Sequence, residues 1–238
     1  MEHMPPMRVI ARIHNDFNEK FGIPRQSGLV PELKASIVFE SEYRNPDALR
    51  GLEGFSHIWL IWQFSEAVRD DWSPTVRPPR LGGNTRMGVF ATRSPFRPNA
   101  IGLSVVKLEE IRDDAALGTV LIVSGADLMD GTPIFDIKPY IPYADCIPDA
   151  IGGFASAPAA ASLEVILPEH LAEKLNADKR EALIGVLAQD PRPRYQNDPE
   201  RVYGFKFAGF EVRFTVRDQT LTVCSIETAP ASDFGKDA

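Results

Sequence analysis

Short runs of β-branched and aromatic residues recur through the first 140 positions, and they constrain the fold more than any other feature of the chain. Glycine, proline or asparagine bounds each run, as is typical of β-strands. Residues 55–64 are almost continuously apolar, which predicts a central strand buried on both faces. Many short strands with such turns favour an antiparallel barrel or sandwich. The runs occupy residues 8–13, 35–43, 55–64, 87–92, 101–111 and 117–124.

The C-terminal part has a different pattern. Residues 152–162 are rich in glycine, alanine and proline, which predicts a linker. Beyond the linker, residues 168–176 and 178–188 have apolar residues at helical spacing, and three short strands follow at 201–208, 210–217 and 221–227. The sequence therefore predicts a mainly β protein with an N-terminal domain over residues 1–151, a small α+β domain over 163–230 and a frayed tail from about residue 231.

Composition excludes several classes of protein. Hydrophobic residues form 44% of the 238 positions, which is enough for a packed core. Two cysteines and four scattered histidines form neither a disulfide scaffold nor an obvious metal site. The chain has no run of 18 apolar residues, no N-terminal signal-peptide pattern and no Rossmann glycine motif. We therefore expect a cytoplasmic protein without a metal or a membrane partner.

Charge is distributed unevenly along this acidic chain, whose formal net charge is −7. The segment from Trp72 to Leu108 contains no Asp or Glu but carries several basic residues, which predicts a local anion site. The alternative is that these side chains lie on several faces and pair with distant acids. The basic residues of this segment are Arg77, Arg80, Arg86, Arg93, Arg97 and Lys107.

Three polar, turn-rich blocks are too specific to be connections alone. They are residues 24–29 (PRQSGL), 77–102 (RPPRLGGNTRMGVFATRSPFRPNAIG) and 127–145 (DLMDGTPIFDIKPYIPYAD). In the second block, proline stiffens the loop and arginine offers planar donors, as reading a phosphate or carboxylate requires. In the third block, each aspartate is either a turn cap or a partner for a cationic ligand, and the spacing is not that of a calcium loop.

These blocks, together with RGLEGFSHIWLI (residues 50–61) and LAQDPRPRY (residues 187–195), resemble the TsaA/TrmO-like family of bacterial transfer-RNA methyltransferases. The resemblance covers nearly the whole chain, from Arg8 to the C-terminal strands. Ala100 departs from the family, which usually has proline after this asparagine, and the change affects loop stiffness. The resemblance implies a barrel-like N-terminal domain and a homodimer. It also implies transfer of a methyl group from S-adenosylmethionine to the exocyclic nitrogen of N6-threonylcarbamoyladenosine, next to the anticodon of threonine tRNA.

The resemblance also implies positions for the S-adenosylmethionine site. We expect Leu103, Leu128 and Met129 to cover the adenine faces and Arg93 to pair with the methionine carboxylate. Acidic side chains would bind the ribose hydroxyls or the amino group. The full expected set is Gln26, Ser27, Gly28, Leu29, Ser65, Glu66, Arg93, Leu103, Asp127, Leu128, Met129 and Asp130.

Residues that would act on or bind the tRNA substrate are predicted from charge and from the third block. A ureido nitrogen is a poor nucleophile until it loses its proton, so a general base is expected, with Asp136 and Tyr140 as catalytic candidates. Candidates for contacts with tRNA phosphates or the threonyl carboxylate are Arg80, Arg86, Arg97, Lys138, Arg192 and Arg194. Arg192 and Arg194 each adjoin a proline, and the alternative for both is a structural tie.

Two other functions fit part of the pattern. A noncatalytic RNA-binding β-barrel would use the arginines but would not need residues 24–29 and 127–133. An enzyme acting on a small anionic metabolite would use the arginines to bind carboxylates. Binding of S-adenosylmethionine would distinguish the methyltransferase from the noncatalytic barrel. Competition by bulk tRNA at low salt would distinguish it from the enzyme that acts on a small metabolite.

Overall fold

The fold is known from a computed structural model that describes residues 6–69, 71–156, 162–192 and 198–229. Within these ranges the chain forms twelve strands and three α-helices, so the mainly β prediction is confirmed. The strands are β1 (Ala11–His14), β2 (Lys34–Phe39), β3 (His57–Gln63), β4 (Thr75–Val76), β5 (Met87–Gly88), β6 (Ile101–Asp114), β7 (Gly118–Ser124), β8 (Pro133–Pro139), β9 (Glu164–Ile166), β10 (Tyr203–Phe207), β11 (Phe210–Arg217) and β12 (Thr220–Thr228). The helices are α1 (Pro142–Asp145), α2 (Glu169–Ala172) and α3 (Ala177–Ala188).

Six strands of the N-terminal part form a closed barrel in the order β1-β2-β7-β6-β3-β8, and β8 pairs back onto β1. All six pairings are antiparallel. Alternate residues of each strand point inward, because successive side chains of a strand face opposite sides. The inward residues include Ile13, Ile37, Ile58, Leu60 and Leu121, all fully buried. Closure leaves this sheet without a free edge.

Strand β3 is central, as predicted, but it is not buried on both faces. Ile58, Leu60 and Trp62 are buried in the barrel, whereas Trp59 and Ile61 on the other face are only partly covered. The prediction was wrong because this outer face borders a cavity, which Trp59 lines, rather than a second layer of protein.

Several other segments differ from their predictions. Strand β8 lies within the block read as turn-rich, and β5 ends after two residues because a 3₁₀ turn occupies Val89–Ala91. A 3₁₀ helix occupies Pro46–Leu49, and the Asn45 side chain before it accepts a hydrogen bond from the Asp47 N–H. In the described part of the chain, no helix combines the length and hydrophobicity needed to cross a membrane.

The C-terminal part is a four-stranded sheet in the order β10-β11-β12-β9, with α2 and α3 beside it. Strand β9 runs parallel to β12, and the other pairs are antiparallel. Helix α3 begins after Asn176, whose side chain accepts a hydrogen bond from the Lys179 N–H at 2.9 Å. Residues 157–161 of the predicted linker and the tail from residue 230 lie outside the described residues.

The second core combines residues from both ends of the chain. Phe17, Val30 and Leu33, which precede β2, are buried among side chains of α3 and the C-terminal sheet. Gly185 on α3 makes this packing possible, because a Cβ at this position would lie 2.7 Å from a Val30 methyl carbon. Residues 17–33 are therefore held between the barrel and the C-terminal sheet.

A glycine on β6 gives a direct test of the barrel packing. The Trp62 ring lies against Gly102, where an added Cβ would lie 2.2 Å from the ring. We expect Gly102→Ala to lower the free energy of unfolding by about 1–3 kcal/mol, because a buried ring and two strands would have to shift. Gly54→Ala is the matched control, because no atom lies within 4 Å of the position that its new methyl group would take; we expect a change within about 0.5 kcal/mol. Equal urea midpoints for Gly102→Ala and the wild type would contradict this packing.

Candidate active site

A cavity of about 960 Å³ lies against the outer face of the barrel where β3 and β6 run side by side. Trp59, Leu103 and Val105 form part of its floor, and the register pairs Trp59 with Val105 and Ile61 with Leu103. Leu103 is 56% exposed although it is a large apolar residue. The size and the apolar floor are typical of a small-molecule site.

Four loops form the walls of the cavity. They contribute residues between 23 and 27, 64 and 67, 93 and 99, and 127 and 132. Backbone hydrogen bonds fix two of these loops: the Gly28 N–H donates to the Gly125 carbonyl, and the Phe64 N–H donates to the Ala100 carbonyl, both at 2.8 Å. The cavity is therefore bounded by loops tied to the barrel frame.

Arg93 supplies a cationic group to the cavity. Its guanidinium donates a hydrogen bond to the Gln26 side-chain oxygen, which joins two of the walls. Among the described residues, no carboxylate lies within ion-pair distance of Arg93. Its charge is therefore suited to a bound anion.

Asp127 supplies a buried carboxyl group. The Trp62 indole N–H donates to the Ser104 hydroxyl at 3.0 Å, and that hydroxyl donates to Asp127 Oδ1 at 2.6 Å. Burial raises the pKa of Asp127, although hydrogen bonds from Ser104 and the Ser27 backbone, and the nearby Arg93, act in the opposite direction. The Asp127 carboxyl group is thus a stronger base than an exposed aspartate.

A second carboxylate lies at the rim. Glu66 lines the cavity and forms an ion pair with Lys20 at 3.0 Å, and both side chains are about half exposed. Such an exposed pair contributes little to stability, and it places the Lys20 ammonium group beside the Glu66 carboxylate. In the described ranges, no three His, Cys, Asp or Glu side chains are grouped so that they could hold a metal ion.

The cavity brings together most of the residues that the sequence predicts for cofactor binding. These residues come from positions up to about 100 apart in the chain, and the barrel topology joins them. Arg97, predicted to contact the substrate, lines the same cavity and donates a hydrogen bond to the Thr92 carbonyl at 3.2 Å. The cofactor candidates that line the cavity are Gln26, Ser27, Ser65, Glu66, Arg93, Leu103, Asp127 and Met129.

Four cofactor candidates have other positions. Leu128 is 1% exposed and packs in the barrel core rather than in the cavity lining, and its contact with adenine stays a prediction. Gly28 has a left-handed backbone, with φ of 77°, and Leu29 is exposed. Asp130 ties two distant segments together: its Oδ1 accepts the Asn15 N–H at 3.0 Å. None of the four lines the cavity.

The two catalytic candidates lie on or next to β8, adjacent to the cavity rather than in its lining. The Asp136 carboxylate pairs with Lys138 at 3.0 Å, and Lys138 lies opposite Trp59 in the sheet. The Tyr140 ring is 5.8 Å from that of Trp59. Desolvation, together with Cys146 and Asp145, raises the pKa of the Tyr140 hydroxyl, which makes tyrosinate less available.

The remaining substrate candidates that the structure describes lie outside the cavity lining. Arg192 forms a two-point ion pair with Asp190, at 2.8 and 2.9 Å, and is 10% exposed, so its geometry is that of a structural tie. Arg86 donates to the Thr75 hydroxyl at 2.9 Å, and Arg80 lies in a 3₁₀ helix at Pro79–Leu81. Arg194 lies outside the described residues.

Sequence reasoning missed several residues of the lining. Trp59 and Phe96 cover apolar parts of the cavity, and Lys20 pairs with Glu66. Strand alternation gave a signal for Trp59, because Ile58 and Leu60 face the core and Trp59 must face outward. No signal marks Lys20, whose position depends on how residues 17–33 pack between the two cores.

Comparison with known proteins gives a consistent assignment. Residues 12–146 match the model of the tRNA-methyltransferase O N-terminal domain, and residues 160–229 match that of the TrmO C-terminal domain. A protein of Escherichia coli K12 named tRNA (adenine(37)-N6)-methyltransferase is 44% identical over 228 residues, which are 92% of this chain and 96% of that protein. A putative S-adenosylmethionine-dependent methyltransferase of Pseudomonas aeruginosa is 43% identical and covers 86% of this chain and 90% of its own length.

Solved structures agree with the sequence matches. A crystal structure of TrmO from P. aeruginosa superposes with a TM-score of 0.78 at 35% identity, covering 96% of this chain and 99% of that one. The barrel, the cavity on its outer face and the small C-terminal sheet thus define a class of methyltransferase without a Rossmann sheet. The chain belongs to the tRNA-methyltransferase O family.

Proposed function

We propose that this protein transfers a methyl group from S-adenosylmethionine to N6 of adenine 37 in tRNA, as the name of its E. coli relative states for that protein. We further propose that the acceptor is N6-threonylcarbamoyladenosine in threonine tRNA. The observation that carries the proposal is the cavity. It holds Arg93, which forms no ion pair within the described residues, and the buried Asp127 carboxyl group, and its floor is apolar.

The residues of the cavity suit the chemical groups of S-adenosylmethionine. Leu103 and Met129 offer apolar surface for the adenine faces, and Arg93 offers a guanidinium for the methionine carboxylate. Gln26, which accepts a hydrogen bond from Arg93, keeps that guanidinium at the wall. Ser65 and Glu66 offer acceptors for the amino group or the ribose hydroxyls, and Ser27 adds another polar group.

The bound donor supplies a methyl group already activated on a positively charged sulfur, so the protein mainly has to align it with the acceptor nitrogen. The walls contribute by fixing the arginine and the carboxyl groups relative to the floor. Loops tied to the barrel by backbone hydrogen bonds lose little further entropy when the substrates bind.

Asp127 is the group best suited to accept the acceptor's proton. It lines the cavity, and burial raises its pKa above the ordinary aspartate value, whereas the Asp136 carboxylate is ion-paired with Lys138 outside the lining. Ser104 and Trp62 hold Asp127 in place by their hydrogen bonds. We therefore propose Asp127 as the general base and retain Asp136 and Tyr140 as the alternatives.

For the RNA side we propose Arg97 at the cavity, with Arg80, Arg86 and Lys138 as outer contacts. A noncatalytic RNA-binding barrel is the alternative function. It is disfavoured because a buried carboxyl group next to the proposed RNA surface would repel phosphates without serving a purpose. A catalytic proton acceptor gives that group a role.

We propose that the domain over residues 1–151 carries the active site and that the domain over 163–230 holds residues 17–33 in position. We also propose a homodimer. Tyr143, Ile147 and Ile151 are large apolar residues that lie close together in the chain and are exposed, and such exposure fits a contact with a second copy of the chain. Sedimentation should give a dimer that Ile147→Glu dissociates; a monomeric wild type would refute this part of the proposal.

Mass spectrometry of nucleosides tests the reaction and the substrate together. After incubation with the protein and S-adenosylmethionine, threonine tRNA that carries threonylcarbamoyladenosine should gain one methyl group on that nucleoside. Threonine tRNA with unmodified adenine at the same position is the control and should gain none. Methylation of the unmodified adenine would contradict the proposed substrate, and methylation of neither would contradict the proposed activity.

The pH dependence of the rate identifies the base. Because burial raises the pKa of Asp127, we expect the acidic limb of kcat to lie above the usual aspartate value of about 3.9. Ser104→Ala removes a hydrogen bond that stabilises the carboxylate, so the limb should move to higher pH. Asp127→Asn should lower kcat by about 10²- to 10⁴-fold and abolish the limb.

Asp136→Asn is the matched variant for this experiment, because it removes a neighbouring carboxylate outside the cavity lining. We expect Asp136→Asn to keep the wild-type kcat and the acidic limb of its pH profile. Loss of the limb in Asp136→Asn, with a normal limb in Asp127→Asn, would assign the role to Asp136.

A further inference from the structure

A small hairpin outside the barrel carries two aromatic rings at one end. Strands β4 and β5 form it, and they pair Thr75 with Gly88 and Val76 with Met87. Trp72 precedes β4 and Phe90 follows β5, so the two rings meet at the open end of the hairpin. Their centroids are 6.0 Å apart, and the ring planes differ by 31°.

Both rings are open to solvent. Phe90 is 72% exposed and Trp72 is 50% exposed, whereas Val89 beside them is buried. The Val89 N–H donates to the Pro74 carbonyl at 2.9 Å, which fixes the turn that directs Phe90 outward. Two large aromatic side chains held together in water are a costly arrangement unless a ligand covers them.

The charge around the rings selects the kind of ligand. No Asp or Glu occurs from Trp72 to Leu108. Arg77 directly follows β4, and Arg86 directly precedes β5. In the part of the chain that is described, neither arginine lies within ion-pair distance of a carboxylate. A protein partner with an apolar surface would leave these charges uncompensated, whereas an RNA strand supplies both π-faces and phosphates.

Phe90 is also close in sequence to residues that line the cavity. Phe90 is three residues before Arg93, so their Cα atoms are at most about 11 Å apart. Phe96, farther along the same segment, lines the cavity and has the Arg69 guanidinium 4.2 Å from its ring centroid. Aromatic and cationic groups thus continue from the hairpin to the cavity entrance.

We propose that Trp72 and Phe90 form a stacking platform for an unpaired RNA base that neighbours the nucleotide in the cavity. The inference rests on the proposed function, since it assumes that the acceptor belongs to an RNA loop. Arg77 and Arg86 contact the phosphates of the same strand. The platform would hold the loop while the target base is turned out of its stack into the cavity.

Binding of a fluorescently labelled anticodon stem-loop RNA, measured by anisotropy at several salt concentrations, tests the platform. Trp72→Ala and Phe90→Ala should each raise the Kd about 5- to 100-fold without changing its salt dependence, because stacking releases no counterions. Trp72→Phe should keep most of the affinity. Arg86→Gln should instead lower the salt slope by about one unit.

Leu117→Ala is the control for loss of an exposed apolar side chain, since Leu117 lies in the turn between β6 and β7, and its Kd should equal that of the wild type. If the wild type binds the RNA and methylates tRNA but both aromatic variants have the wild-type Kd, the platform would be overturned and the proposed function would stand. A wild type that neither binds the RNA nor methylates tRNA would instead overturn the proposed function. A change of oligomeric state in Trp72→Ala, detected by sedimentation, would assign the rings to a contact between copies and overturn the platform.

Discussion

The contact of the Trp62 ring with Gly102 is the constraint on which the active-site geometry depends. Because Gly102 has no side chain, the indole lies flat against β6 and its N–H reaches the Ser104 hydroxyl. Ser104 in turn holds the Asp127 carboxyl group at the cavity wall. One chain of contacts thus connects the packing of the barrel interior with the acid–base properties of a cavity on its outer face.

The inner and outer faces of β3 and β6 have separate roles, because successive side chains of a strand face opposite sides. Inward residues such as Leu60 and Val106 fill the barrel, while outward residues such as Trp59 and Leu103 remain available as a floor. A barrel with so narrow a core has no room for a nucleotide-like ligand inside. The cavity therefore lies outside the barrel, where loops from four positions in the chain surround the exposed strand faces.

The C-terminal sheet contributes to the site indirectly. Val30 and Leu33 pack in the second core, and Arg25 donates to the carbonyls of Asp190 and Arg192 at 3.2 and 3.4 Å. The segment that carries Gln26 and Ser27 is therefore fixed from both sides. Since Gln26 receives a hydrogen bond from Arg93, the position of that guanidinium depends on packing far from the cavity.

Much of this arrangement was predictable from the sequence, and the exceptions have physical reasons. Glycine and proline punctuation predicted β3, β6 and β7, because turns at these residues end strands whatever the tertiary context. Strand β8 was missed because Asp136 and Lys138 on its outer face resemble turn residues. A shift in its pairing with β3, between Ile61 and Trp62, places Ile134 on the core side instead. Leu128 packs in the core although the family motif implies a ligand contact there, because a motif identifies positions but not which side of the chain each side chain faces. Nothing local predicts that Lys20 meets Glu66, since that contact depends on packing between two cores.

Titration calorimetry with S-adenosylmethionine tests most directly the claim that the outer-face cavity is the donor site. If Arg93 binds the methionine carboxylate, Arg93→Ala should raise the Kd at least about tenfold, because a hydrogen bond to a charged group contributes about 1.5–3 kcal/mol. Arg112→Ala, which removes an exposed arginine from the far end of β6, should leave the Kd unchanged. A Kd for Arg93→Ala equal to that of the wild type, or no heat of binding for the wild type itself, would contradict the account.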